Sequence, residues 1–164
     1  MVQDFDKLRS TKVGIKAEDI VEELLQEWKC RIDFRPDVRS YDNAMDFIVS
    51  KNGVSWSIEV KGDDYPTGPN IALEHKQQAM KGGMMPSGMS VTKADYIFYY
   101  VFRWNKLYIF KPETYRQYLK KGWITKNDSK VCNKNSLTGA TECYVLNAGI
   151  LEDKGFFSKI IDVT

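Results

Sequence analysis

The sequence predicts an α/β fold, a mixed central β-sheet flanked by helices. Three stretches predict it. Residues 16–29 (KAEDIVEELLQEWK) set Ile20, Val21, Leu24, Leu25 and Trp28 at helical spacing, the pattern of an amphipathic helix. Residues 46–61 hold two apolar-alternating runs around Asn52-Gly53, the signature of a tight hairpin. Residues 95–104 (DYIFYYVFRW) are β-forming and as dense in aromatics as a core strand.

The elements follow in order. Gly14 stands just ahead of the first helix, and acids fill its first turns, which suits the helix dipole. Residues 30–35 (CRIDFR) alternate as a strand, and 36–43 (PDVRSYDN) carry loop chemistry. Residues 46–50 form the second strand and 54–61 the third. Alternation puts Val54, Trp56, Ile58 and Val60 on one face and Ser55, Ser57, Glu59 and Lys61 on the other. Residues 62–70 read as a turn-rich loop, 71–80 (IALEHKQQAM) as a helix or the opening of a strand, and 81–90 (KGGMMPSGMS) as a glycine-rich loop. Asn105-Lys106 turns into the strand 107–111. Residues 112–121 begin with proline and end in lysines, both helix signals. Residues 126–142 are polar and read as looped, and 144–150 and 157–163 read as edge strands. The 164 residues suit one domain, with a core over about 12–121 and a C-terminal extension over 122–164.

Composition sets bounds. Lys+Arg of 24 against Asp+Glu of 22 gives a net charge of +2, which does not announce a nucleic-acid binder but leaves room for a basic patch. The longest apolar run, 94–102, is interrupted by Asp95 and falls far short of the roughly 20 residues of a membrane span. The N-terminal residues lack the apolar stretch of a signal peptide. Cys30, Cys132 and Cys143 form no CxxC pair and read as reduced thiols of a cytoplasmic protein. Cys132, Cys143 and the single histidine, His75, match no familiar zinc spacing.

The chemistry-bearing constellation is Asp46 with Glu59 and Lys61. The hairpin folds the start of one strand back toward the end of the next, and Glu59 and Lys61 share a strand face. Two carboxylates and a lysine gathered at a sheet edge suit metal-dependent phosphodiester hydrolysis. Hard oxygens hold Mg²⁺, or Mn²⁺ in its place, and the metal activates a water. Asp46, Glu59 and the Val60 carbonyl are the expected metal ligands, and Lys61 serves the water or the developing charge. The plainer reading is a surface ion pair of little energetic value. Lys12, Lys16, Lys76, Lys81 and Lys93, read as lying in or beside loops, are candidate phosphate contacts to DNA.

Met45-Asp46 followed by Glu59-Val60-Lys61 resembles the motif of the PD-(D/E)xK nuclease superfamily, with Met45 where the name motif has proline. That resemblance implies a restriction-endonuclease-like core of the order αβββαβ. Gly14, Ala17-Glu18, Ser40, Asp46 and Glu59-Val60-Lys61 are similar in order to archaeal-type Holliday-junction resolvases. This implies that Glu18 faces the metal site and that Ser40 belongs to the substrate loop; a glutamate early in a helix is favourable without any such role. The stretches TGPNIALEHK and PSGMSVTKADYIFYY resemble small phage-type members of the superfamily. Glu74 would then lie near the site, with Ser87, Gly88 and Thr92 shaping a substrate loop, while Asp95 reads as a turn or cap residue. The expected activity is a DNA endonuclease. A junction resolvase, an exonuclease, or an inactive DNA-binding or assembly module on the same scaffold are the alternatives. Cutting two strands favours a homodimer.

Overall fold

The computed structural model describes residues 5–35, 45–64, 66–79, 81–132 and 140–164, and in its first helix the side chains from Lys12 onward. The elements are α1 (Phe5–Glu27), β1 (Arg31–Phe34), β2 (Phe47–Lys51), β3 (Val54–Asp63), β4 (Asn70–Gln78), β5 (Met84–Pro86), β6 (Tyr96–Val101), β7 (Lys106–Phe110), α2 (Pro112–Lys120), β8 (Ser129–Cys132), β9 (Thr141–Asn147), α3 (Ala148–Asp153) and β10 (Lys159–Asp162). The chain divides into two compact units, one of Val13–Tyr65, Thr92–Pro112 and Phe157–Thr164, the other of Met1–Lys12, Pro66–Val91 and Glu113–Phe156.

The first unit holds a six-stranded sheet in the order β1-β2-β3-β6-β7-β10. It is mixed, as expected: β3 runs parallel to β6, and the other neighbours are antiparallel. Asn52 and Gly53 both take positive φ, 53° and 78°, as a two-residue hairpin turn requires. Ala17, Val21, Leu24 and Leu25 of α1 recur at helical spacing and are buried against Phe47 and Val49, Ile58 and Val60, Phe98 and Tyr100, Leu107 and Ile109. Each large apolar side chain so buried stabilises the fold by about 1.5–3 kcal/mol. The alternation that turns Ile58 and Val60 toward α1 turns Glu59 and Lys61 to the other face.

Gly62 lies on the α1 side of β3. A Cβ there would sit 2.9 Å from the Ala17 Cβ and 3.0 Å from the Val13 carbonyl oxygen. Helix and strand therefore approach as closely as they do because residue 62 has no side chain.

The second unit holds a four-stranded sheet in the order β5-β4-β9-β8. Several expectations are corrected here. Residues 71–80 are strand, because Ile71, Leu73 and His75 are buried at every second position of β4. The loop expected at 81–90 contains β5 and a 3-10 turn at Gly88–Ser90. Within the expected loop 126–142 lies β8, which carries no long apolar run because it is held by backbone pairing to β9. The expected edge strand at 144–150 is instead β9, an interior strand that ends at Asn147. Asn147 then caps α3, its side chain accepting from the Ile150 N–H at 3.0 Å.

Gly14 lies inside α1, not ahead of it, so Glu18 is in mid-helix rather than in a first turn. The crossover from β3 to β6 carries β4, β5 and a 3-10 turn in place of the α-helix of an αβββαβ order. No helix among the described residues is long and apolar enough to cross a membrane.

Candidate functional site

The site is built where β2 ends and β3 continues. β2 pairs with β3 from Lys51↔Val54 to Phe47↔Ile58 and no further. On its other side β3 is paired with β6 from Ile58 to Asp63. Glu59, Val60 and Lys61 thus have a strand on one flank only. Asp46 occupies the other flank. Its backbone N–H donates to the Ile58 carbonyl at 2.8 Å, and its Oδ2 accepts the Val60 N–H at 2.7 Å. A carboxylate takes over the ladder at the point where backbone acceptors stop.

On the face away from α1, the Lys61 ammonium stands 2.6 Å from Glu59 Oε1. The Thr92 hydroxyl donates to Glu59 Oε2 at 2.5 Å. Glu59 has only 13% of its side chain exposed, whereas Lys61 has 42%. The carboxylate is thus sheltered, and the ammonium reaches solvent. The chain enters β6 beside this site through Asp95, whose Oδ2 accepts from the Ser57 N–H at 2.8 Å and the Ser57 hydroxyl at 3.1 Å. Asp95 thus ties the entry of β6 to β3 over 38 residues, in place of the local turn or cap bond expected of it.

The other candidates are distributed as follows. Glu18 is half-buried and Lys16 exposed on α1, next to Ala17 at the close approach of Gly62. Lys12 is also on α1, so neither lysine lies in a loop. Lys76 is an exposed residue of β4, 4.0 Å from Glu142. Lys81 and Lys93 are exposed between elements. Ser40 lies outside the described residues. Glu74 belongs to the four-stranded unit, where it accepts a short hydrogen bond from the Ser87 hydroxyl. Gly88 sits against it at φ +49°, where a Cβ would meet the Glu74 carbonyl oxygen at 2.5 Å. Among the described residues, no three His, Cys, Asp or Glu side chains cluster as a metal site.

Thr92, expected to shape a substrate loop, bonds Glu59 instead. The bond joins residues 33 apart in sequence, and nothing in a Thr-x-Ala-Asp spacing reveals which carboxylate the hydroxyl meets.

No protein-family model and no curated protein matches the sequence. Among solved structures the chain is similar to a bacterial homing endonuclease, I-Ssp6803I, with a TM-score of 0.53 and 12% identity over 66% of this chain and 73% of that one. At that identity the likeness is one of fold: this chain shares a mixed α/β architecture with that endonuclease.

Proposed function

We propose that the chain is a divalent-metal-dependent endonuclease that hydrolyses DNA phosphodiester bonds, with a site of the PD-(D/E)xK kind. The observation that carries this reading is the hydrogen bond from Val60 N–H to Asp46 at 2.7 Å. It fixes one carboxylate beside the strand segment that bears a second carboxylate and an ammonium. The fold shared with a homing endonuclease adds support.

The donor set suits a hard cation. Asp46 and Glu59 offer carboxylate oxygens and Val60 a carbonyl, the ligand types that Mg²⁺ or Mn²⁺ prefers. When bound, the metal polarises the phosphoryl group and lowers the pKa of a bound water. The chain's own residues do the rest. Lys61, solvent-facing and steadied by Glu59, donates hydrogen bonds to the attacking water or to phosphate oxygens on which charge builds. Water attacks phosphorus directly, the P–O bond to the leaving strand breaks, and the leaving oxygen is protonated, with no covalent enzyme intermediate. Lys16, exposed on α1, contacts substrate phosphates. A homodimer supplies one site per strand of a duplex.

The test is a nicking assay on supercoiled plasmid. The wild type is expected to cleave with Mg²⁺ and to stop with EDTA. Protein that binds DNA yet cleaves no plasmid, linear duplex or four-way junction with Mg²⁺ or Mn²⁺ overturns the reading.

A further inference from the structure

We propose that Thr92 is the positioning residue of this site: its hydroxyl holds one oxygen of Glu59 so that the other is presented for the cation. The inference rests on the reading of Glu59 as a metal ligand and deepens it.

A threonine hydroxyl has a single hydrogen and two lone pairs. The Thr92 oxygen accepts the Ala94 N–H at 3.3 Å, which leaves its hydrogen for Glu59 Oε2 at 2.5 Å. Thr92 is 3% exposed, so water does not compete for that hydrogen, and a bond in such surroundings is strong. With Oε2 so engaged, the carboxylate cannot rotate freely. Oε1 is the oxygen left on the Lys61 side. The bond also spans from the segment preceding β6 to β3 itself, so the orientation of Glu59 is set by two parts of the chain rather than by its own rotamer. A hydrogen bond of this kind to a metal-ligating carboxylate typically changes metal affinity by about 10–100-fold.

The experiment titrates Mn²⁺ into wild type, Thr92→Val and Thr92→Ser, reading free Mn²⁺ by electron paramagnetic resonance, with nicking rates measured over a Mg²⁺ series. Thr92→Val keeps the shape and removes the donor. Its Mn²⁺ dissociation constant is expected to rise about tenfold or more, and its half-saturating Mg²⁺ to rise in parallel, while turnover at saturating Mg²⁺ stays near wild type. Thr92→Ser restores the hydroxyl and should restore the affinity. Thr92→Val that binds Mn²⁺ as the wild type does, or Thr92→Ser as weak as Thr92→Val, overturns the proposal in favour of a packing role and leaves the nuclease reading standing. A wild type that binds no Mn²⁺ overturns both. If Thr92→Val does not fold, the Mn²⁺-bound wild-type structure decides: Thr92 must still bond Glu59 there, and a Glu59 carboxylate turned away from it overturns the proposal.

Discussion

Asp46 carries two burdens that substitutions can separate. One is structural, accepting the Val60 N–H where the ladder runs out; the other is its charge. Asp46→Asn keeps an acceptor oxygen and discards the charge. It is expected to melt like the wild type while plasmid nicking falls at least about a hundredfold. Asp46→Ala removes both, and the orphaned Val60 N–H costs a further 1–3 kcal/mol or so in urea unfolding. Lys61 separates chemistry from the ion-pair reading in the same way. Its side chain is 42% exposed, so loss of the pair to Glu59 is worth at most about 1 kcal/mol. Lys61→Ala should therefore leave the urea midpoint almost unmoved and lower turnover by about 10²–10⁴-fold. A variant that nicks at the wild-type rate would leave Lys61 a surface charge.

At the scale of elements, glycines decide how closely pieces pack. Gly62→Ala pushes a methyl to 2.9 Å from Ala17 and should destabilise by about 1–3 kcal/mol. Gly88→Ala should be worse, since a positive φ and a contact with backbone oxygen coincide. Gly53→Ala, with a positive φ but open space, should be mildest, and urea midpoints at constant m rank the three. The β2–β3 hairpin was legible because Asn-Gly and period-two alternation are local signals, and they also brought Asp46 to Glu59-Val60-Lys61. β4 was half-legible. Ile71, Leu73 and His75 keep the strand period, but Ala72, Glu74, Lys76 and Gln77 favour helix, and tertiary pairing with β9 overrides that preference. β8 was illegible because its stability lies in backbone bonds that polar side chains do not record. The start of α1 was misplaced because Gly14 reads as punctuation, yet it is a buried position inside the helix.

Across the whole molecule, buried titratable groups outside the candidate site set the pH range of stability. His75 is 5% exposed, stacked on Tyr144 at a centroid distance of 4.0 Å, and bonded to Ser129 at 2.9 Å. Burial lowers its pKa, partly opposed by Glu142. The unfolded chain therefore binds a proton below about pH 6.5 that the folded chain resists, and stability falls as pH drops through that range. Urea midpoints between pH 7.5 and 5 should show this slope, and His75→Phe, which keeps the stacking, should flatten it. Tyr115 works at the other end: burial raises its pKa to about 12. The unfolded phenol ionises near pH 10 while the folded one does not, so stability falls as pH rises from about 10 to 12. The account as a whole depends on one cation gripped between the acid that ends the β2 ladder and the acid of β3. Anomalous diffraction from crystals soaked in Mn²⁺ tests it most directly. The account predicts a single peak coordinated by the carboxylates of both Asp46 and Glu59 and by the Val60 carbonyl. A peak elsewhere, or none while Lys61 stays on Glu59, would contradict it.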